Sequence, residues 1–425
     1  MKKITPLQHI DTDITVPGSK SITQRALIAA ALTNGKTTLH GPLASEDTHY
    51  TSTALAAMGV AINSDNDPWQ VMGQSGQIAT PSAPIFLGNN GTATRFLTSV
   101  AALGCGPFQI TGEQRMEERP IKPLISALQG WGVDIKSIKD TGCPPLEILA
   151  NGIKGGKTVL PEGKSSQYLS SLLLVAPYAQ QAAELEVEGE VYSKPYVTMT
   201  LAVMESFGVS VQASADLTSF IIPQTPYQAQ DYQVEGDASS ASYFWAAAAI
   251  TGGRVTVTNV PDPSLQGDTA LVGMLEQMGC QVEKSSRGIT VKGPAQLKGI
   301  EVDMADCPDV APTLAVVASQ AHGRTIIKNI AHLRIKECDR LHVMATELAK
   351  LGARVEERPD SLVIEGLGPD APAMHGAEID TYNDHRIAMC FAVAGLVVPG
   401  VIVKGPECVV KSFPDFWERF ALLYN

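Results

Sequence analysis

The sequence lacks the cysteine and histidine patterns that are typical of metal sites. Its seven cysteines include no Cys-x-x-Cys pair, no cysteine–histidine cluster has zinc spacing, and His-Glu-x-x-His does not occur. An odd number of cysteines without such pairs favours reduced thiols and a cytoplasmic protein.

Long hydrophobic runs are also missing. No stretch approaches the roughly 18 uninterrupted apolar residues of a membrane-spanning helix, so we reject membrane spans. The Met-Lys-Lys start has no apolar segment typical of a signal peptide. No low-complexity tract or long Pro/Ser linker occurs, and 425 residues favour two compact domains.

Nucleotide-binding motifs are incomplete. Lys154-Gly-Gly-Lys-Thr158 resembles the end of a P-loop, but Asn151 stands where the motif needs glycine, and no Gly-x-Gly-x-x-Gly follows a strand. A more general anion site remains, in which helix-start N–H groups act with hydroxyls and cations. Such groups occur at Lys20-Ser21, Asn89–Thr92 and Lys164–Gln167.

The net charge of −12 argues against nucleic acid as a partner. Against this acidic background, many basic residues fall where loops meet helices. Cations concentrated in a cleft of an acidic protein indicate small anionic ligands, and the alternative is that each is a solvated charge near a helix end. These residues are Lys20, Arg25, Arg95, Arg119, Lys194, Arg334, Lys336, Arg340, Arg386 and Lys411.

The chain repeats six times with a period of a little over seventy residues. A glycine that ends a helical stretch recurs with gaps of 73, 76, 71 and 73, and polar markers before a second apolar stretch recur with gaps of 71, 75, 72, 71 and 75. A repeat of this period is a supersecondary unit used again and again. The glycines are Gly59, Gly132, Gly208, Gly279 and Gly352, and the markers are Lys20, Gly91, Ser166, Ala238, Asp309 and Asp384.

One unit is predicted as two helices alternating with short strands. A helix over 22–32 follows a small polar cap, Asn34-Gly35 is expected to end it in a left-handed conformation, and a strand over 37–40 precedes a second helix that runs to Met58. This order predicts an α/β or α+β fold. Helices that are apolar all round, such as 243–250, should be buried.

Carboxylates beside cations form the second class of candidate site. Asp309 is predicted at a helix start, either as a cap or as an ionised acid. The run Lys336-Glu-Cys-Asp-Arg340 is either a surface salt-bridge cluster or a proton-transfer site. These residues predict anionic ligands and acid–base groups but do not name a reaction.

Nine segments in this order resemble the 5-enolpyruvylshikimate-3-phosphate synthase family of enolpyruvyl transferases. The resemblance covers almost the whole chain, and each segment alone is a weak signal. They are 17–21, 88–92, 116–120, 165–167, 193–196, 235–240, 336–340, 382–386 and 411–415.

The resemblance implies two globules, each an inside-out α/β barrel of three βαβαββ-type units. The first globule would span 19–235, and the second would combine 1–18 with 236–425. The family's active site lies in the cleft between globules. Because ligand groups would come from both halves, we predict closure on substrate.

The implied reaction transfers the enolpyruvyl group of phosphoenolpyruvate to the 5-hydroxyl of shikimate 3-phosphate, in aromatic amino acid biosynthesis. Phosphate leaves after addition and elimination through a tetrahedral intermediate. The family needs no metal or organic cofactor, and we expect a cytoplasmic monomer whose partners are anionic small molecules.

Site residues carry over by motif position. The implied shikimate 3-phosphate ligands are Lys20, Ser21, Arg25, Ser165, Ser166, Gln167, Ser193, Asp309 and Lys336. The implied phosphoenolpyruvate ligands are Lys20, Gly91, Arg119, Gln167, Arg340, Arg386 and Lys411. The implied catalytic residues are Asp309 as the base, Glu337 as the donor to the methylene carbon, and Lys20 between both substrates.

Two positions depart from the family pattern. His332 stands where many relatives have asparagine, and Phe96 where well-known relatives have proline. Gly91 leaves room for glyphosate, the family's inhibitor, and we expect sensitivity although Phe96 could narrow that space.

The alternatives are a related enzyme and a protein without catalytic activity. The related UDP-N-acetylglucosamine enolpyruvyl transferase normally carries a loop cysteine before Arg-Pro, but Gln114 occupies that place and Cys105 lies too far upstream. A non-enzymatic repeat scaffold would not need the cation clusters.

Overall fold

The structure, a computed structural model, describes residues 1–7, 9–367 and 373–425. Its α-helices are α1 Lys20–Leu32, α2 Glu46–Ala57, α3 Gly91–Ala101, α4 Lys122–Gly130, α5 Ser166–Val175, α6 Lys194–Ser206, α7 Ala238–Thr251, α8 Ala270–Gln277, α9 Ala311–Ser319, α10 Arg340–Lys350, α11 His385–Ala394 and α12 Phe416–Ala421.

The strands are short and lie between the helices. They are β1 Lys2–Lys3, β2 Asp11–Ile14, β3 Asn34–His40, β4 Ala61–Asn63, β5 Trp69–Gln74, β6 Ile85–Phe86, β7 Cys105–Thr111, β8 Asp134–Ser137, β9 Leu146–Asn151, β10 Gly156–Leu160, β11 Ala183–Val187, β12 Gln212–Ala213, β13 Ser219–Ile222, β14 Asp231–Gln233, β15 Arg254–Val257, β16 Gln281–Ser285, β17 Gly288–Lys292, β18 Glu301–Asp303, β19 Arg324–Lys328, β20 Arg354–Glu357, β21 Leu362–Glu365, β22 Glu378–Ile379 and β23 Ile402–Val403.

The chain divides into two compact units, which we name unit A and unit B. Unit A is Gly18–Val234, and unit B joins Met1–Pro17 to Glu235–Asn425. Unit A begins and ends one residue before the boundaries predicted for the first globule. Each unit has its own cluster of buried hydrophobic residues.

Five four-stranded sheets share one pairing pattern. In each, a parallel edge strand pairs with a strand that lies between two helices in sequence, and a hairpin then pairs antiparallel. In unit A, β14 returns from the end of the unit to pair with β3, and in unit B, β2 comes from the N-terminus to pair with β15. The predicted mixture of helices and strands is confirmed.

The apolar helices of the repeat lie in the cores. Residues 238–249 of α7 are all buried, as the absence of a polar face predicts. Three helices of this kind begin at polar markers, α1 at Lys20, α3 at Gly91 and α7 at Ala238.

The repeated glycines end the second helix of five repeats. Each follows its helix with φ between 81° and 107°, a left-handed conformation that glycine adopts without a Cβ clash. The same prediction for Asn34-Gly35 is wrong. Helix α1 ends at Leu32, and Thr33 caps it in an extended conformation by donating its hydroxyl to the Ala30 carbonyl over 2.8 Å.

Candidate active site

The predicted site residues gather at the starts of helices in each unit. In unit A they lie in or just before α1, α3, α5 and α6 and beside the Gln114–Glu118 turn. In unit B they lie in or just before α10 and α11, and in or beside short 3-10 turns. Helix starts present unpaired N–H groups, so these places suit anions.

Lys20 is the first residue of α1 and is held by a carboxylate. Its Nζ lies 3.0 Å from Oδ2 of Asp47, which is almost fully buried in the first turn of α2. The backbone carbonyl of Asp47 accepts a hydrogen bond of 2.7 Å from Asn90, the cap of α3. The starts of three helices are thereby fixed to one another around one cation.

Arg25 is buried in unit A without a carboxylate. Its guanidinium donates to Thr200 Oγ1 at 2.7 Å and to Ser170 Oγ at 3.1 Å, and no ion pair links it to a carboxylate of the described residues. Burial is the main cause that lowers its pKa to about 10, so it remains charged at neutral pH. A buried cation among neutral acceptors is stabilised by an incoming carboxylate.

Phe96 lies beneath this arginine. The centre of its ring is 5.2 Å from the Arg25 guanidinium carbon, and the ring of Tyr196 lies 5.9 Å from it on α6. Aromatic faces attract a cation at such distances. The ring that replaces the family's proline therefore contacts Arg25, a neighbour that the sequence did not reveal.

Gly91 and Arg119 are in close contact. A Cβ at position 91 would overlap the Arg119 guanidinium. Arg119 donates from Nη1 to the backbone carbonyl and to Oδ1 of Asn89, both at 3.1 Å. The absence of a side chain at Gly91 lets the guanidinium lie against the start of α3.

The serines of unit A lie at the starts of α5 and α6. Ser165 is the cap residue of α5 and Ser166 is its first residue, while Ser193 precedes α6 with φ 54° and ψ 44°. Left-handed non-glycine residues cost energy and concentrate at functional sites. Gln167 Nε2 donates to Thr92 Oγ1 over 3.1 Å and so joins the starts of α5 and α3.

In unit B, Arg340 is the centre of an ionic cluster. Its side chain is 2% exposed and contacts three carboxylates. Nε lies 2.8 Å from Asp384 Oδ2, and Nη2 lies 2.8 Å from Glu337 Oε2. Asp384 also caps α11 by accepting the Arg386 N–H at 2.9 Å.

Asp309 connects the two arginines. Its oxygens lie 2.6 Å from Arg386 Nη2 and 3.3 Å from Arg340 Nη1. The Asp309 side chain is 19% exposed whereas that of Asp384 is fully buried, so only the former can reach a ligand. Helix α9 begins at Ala311, not at Asp309, and the arginines rather than the α9 dipole are the charges in contact with this carboxylate.

Glu337 bridges two cations of the same cluster. Its second oxygen, Oε1, lies 3.6 Å from Lys411 Nζ, opposite the contact with Arg340. Cations and carboxylates therefore alternate across the cluster. An anion that enters could take over the cations from these carboxylates.

The sequence of the run 336–340 predicts either a surface salt-bridge cluster or a proton-transfer site, and its residues divide between a buried cluster and a surface network. Glu337 and Arg340 belong to the buried cluster, but Asp339 caps α10 and pairs with Arg334 at 2.9 Å. Arg334 also contacts Glu357 at 2.6 Å. The junction cation Arg334 is therefore part of a surface salt-bridge network.

Lys336 lies directly after the 3-10 turn Ala331–Ile335, which carries His332. Burial first, and then the positive charge of Lys336, lower the pKa of His332 to about 4. This histidine is therefore neutral near pH 7 and resembles the family's asparagine in charge.

Sequence reasoning missed the carboxylates that hold the cations. Asp384 is only a repeat marker in the sequence, and Asp47, which holds Lys20, is not among the predicted site residues. Position at a helix start was the available signal, but the sequence does not reveal which cation each acid contacts.

No group of three or more His, Cys, Asp or Glu side chains within 1–7, 9–367 and 373–425 is arranged to hold a metal ion. In the same residues, no helix is both long and apolar enough to cross a membrane.

The profile of one protein family matches residues 4–420, and its description is EPSP synthase (3-phosphoshikimate 1-carboxyvinyltransferase). The chain belongs to the EPSP synthase family. This membership confirms the resemblance found in the nine sequence segments.

The similarity to known members of the family extends over nearly the full length of both chains. A 3-phosphoshikimate 1-carboxyvinyltransferase from Nostoc punctiforme is 44% identical over 97% of this chain and 96% of its own. One from Shewanella denitrificans is 45% identical over 99% and 98%. A solved EPSP synthase from Acinetobacter baumannii is 30% identical and superposes with a TM-score of 0.81 over 98% of this chain and 96% of that one.

Proposed function

We propose that this protein transfers the enolpyruvyl group of phosphoenolpyruvate to the 5-hydroxyl of shikimate 3-phosphate and releases phosphate. The observation that carries the proposal is membership of the EPSP synthase family over residues 4–420. The ionic clusters at the helix starts support it, because both substrates carry several negative charges.

For the fold, we propose two inside-out α/β barrels of three βαβαββ units each. The shared pairing pattern of five sheets supports this arrangement. The return of β14 to β3 and of β2 to β15 supports it further, since these strands supply the parallel edge that the first unit of each barrel would otherwise lack.

Shikimate 3-phosphate would bind through unit A first. Ser165, Ser166 and Ser193 would hold its 3-phosphate with the N–H groups of two helix starts, and Gln167 would lie against the ring. Arg25 with Ser21 would hold its carboxylate. The burial of Arg25 without an ionic partner among the described residues supports that assignment.

Phosphoenolpyruvate would bind to the cations at these helix starts and turns. Arg119, Arg340, Arg386 and Lys411 would pair with its phosphate and carboxylate, and the Gly91 backbone would approach it closely. Lys20 would contact both substrates.

The chemistry would use two of the three carboxylates that contact Arg340. Asp309, with Lys336 near it, would take the proton of the 5-hydroxyl as its oxygen bonds to C2 of phosphoenolpyruvate, and Glu337 would give a proton to C3. Elimination would then remove a proton from C3 and break the C2–O bond to phosphate. The exposure of Asp309 supports its role as the base.

We further propose a cytoplasmic monomer that glyphosate inhibits in competition with phosphoenolpyruvate. Low-molecular-weight anions would be its only ligands, with no nucleic acid, membrane or cofactor.

The proposal is tested by measuring inorganic phosphate released from phosphoenolpyruvate with each of two acceptors. We expect release with shikimate 3-phosphate and none with UDP-N-acetylglucosamine. Release with the nucleotide sugar alone would identify the related transferase, and release with neither would favour a non-enzymatic protein.

A further inference from the structure

A second buried carboxylate lies beside the Asp309 turn in unit B. Asp268 is in the 3-10 turn Gly267–Thr269, which packs against the turn Pro308–Val310 that carries Asp309. Its side chain is buried and accepts a hydrogen bond from Ser239 Oγ in the first turn of α7.

The surroundings of Asp268 favour its protonated form. Burial is the largest cause and the negative charge of Asp309 the second, and together they raise the pKa of Asp268 to about 7. Arg386 and the hydroxyl of Ser239 oppose this shift. The titratable or charged groups that face it are Asp309, Arg386, Asp237 and Cys307.

Asp309 contacts two arginines, at 2.6 and 3.3 Å, and Asp268 accepts a hydrogen bond from the hydroxyl of Ser239. When two carboxyls interact, they lose their protons in two steps, because a negative charge on one raises the pKa of the other. Asp268 is therefore the carboxyl of this pair whose charge changes near neutral pH.

We propose that Asp268 is a positioning residue whose charge sets the strength of Asp309 as a base. Ionised Asp268 adds a negative charge beside Asp309 and so increases its affinity for a proton, while protonated Asp268 does not. The inference rests on the proposed role of Asp309 and assigns its control to the Ser239–Asp268 pair.

The test compares turnover of wild type and Asp268→Asn across pH at saturating substrates. Asparagine imitates the neutral acid, so the ratio of wild-type to variant turnover should be near one at about pH 6. The ratio should rise to roughly 3–10 at about pH 8.5. Ionised Asp268 would raise the pKa of Asp309 by about one unit, and turnover would follow part or all of this change in base strength. A ratio that does not change with pH would mean a structural role only and would overturn the inference.

Two further variants strengthen the comparison. Ser239→Ala removes the hydroxyl that stabilises the ionised acid, so the rise should move to higher pH. Thr269→Ala is the control, because its hydroxyl donates to the carbonyl of Gln266, the cap of the same turn, at 2.8 Å and not to Asp268. The control should keep the wild-type profile.

A measurement without substrate keeps the inference separate from the proposed reaction. ¹³C NMR of aspartate-labelled wild-type protein should show one carboxyl that titrates near pH 7, at higher pH in Ser239→Ala and absent in Asp268→Asn. If no aspartate of the wild type titrates above about pH 5.5, the inference is wrong whether or not the protein releases phosphate. If the titration is present but phosphate is never released, the proposed reaction fails instead.

Discussion

Gly91→Ala should weaken phosphoenolpyruvate binding by moving Arg119. The added Cβ would overlap the Arg119 guanidinium, which is the far end of a flexible side chain and can move away. This movement breaks the two contacts of Arg119 with Asn89, both at 3.1 Å. It also moves the guanidinium away from the position at which it would bind the phosphate of phosphoenolpyruvate.

The magnitude follows from one charge-assisted hydrogen bond. Its loss costs about 1.5–3 kcal/mol, which corresponds to roughly 10- to 150-fold in affinity. The fold should survive, because alanine is a better helix residue than glycine by up to about 1 kcal/mol and Gly91 has no left-handed φ. The KM for shikimate 3-phosphate should change by less than about threefold, since unit A binds it through other side chains.

Steady-state kinetics with each substrate varied in turn provide the assay. Glyphosate, which is longer than phosphoenolpyruvate, should lose still more affinity than the substrate does. Arg119→Lys supplies the control, because lysine lacks the planar fork. If Gly91→Ala acts through Arg119, the double variant should be scarcely worse than Arg119→Lys alone. Additive losses, or an unchanged KM for phosphoenolpyruvate in Gly91→Ala, would refute this reasoning.

Three other predictions concern single side chains. Phe96→Leu removes the ring under Arg25 and should raise the KM for shikimate 3-phosphate by about 2- to 30-fold, because a cation–π contact contributes about 0.5–2 kcal/mol. The KM for phosphoenolpyruvate should change little, and equal losses for both substrates would contradict the prediction. His332→Asn should make the stability of the fold less sensitive to acid. The pKa of His332 is about 4 in the folded protein, which is below its unfolded value of about 6.5. The stability that depends on the neutral ring is therefore present above about pH 6.5 and is lost as the pH falls towards 4. Thermal unfolding at about pH 5 and 8 measures this, and a parallel loss in both proteins would count against burial as the cause. Asp309→Ala should keep shikimate 3-phosphate binding but lower turnover by roughly 10²–10⁴, and full activity would show that Asp309 is no base.

The regular parts of the fold could be predicted because they depend on local sequence. Glycine at a repeated spacing predicted five helix ends, since a left-handed residue after a helix favours glycine. Thr33 shows the limit, because its side chain caps α1 and no glycine is needed. The pairing of β2 with β15 depends on residues about 240 apart and has no local signal.

The site was predictable in its cations but not in their partners. Arg340 and Arg386 were found from their places at helix starts and from the family motifs. Their contacts with Asp309 and Asp384 arise from the packing of separate repeats, which residue spacing does not specify. Arg334 carried the same local signal as Arg340, yet it lies in a surface network with Asp339 and Glu357.

The most direct test of the account is to follow the carbon of phosphoenolpyruvate into product. The protein would be mixed with shikimate 3-phosphate and phosphoenolpyruvate labelled with ¹³C at C2, and the product examined by NMR and mass spectrometry. The account predicts that the label appears in an enol ether on the 5-oxygen of shikimate 3-phosphate, with one phosphate released for each ether formed. Label that remains in phosphoenolpyruvate, or that appears only in pyruvate, would contradict it.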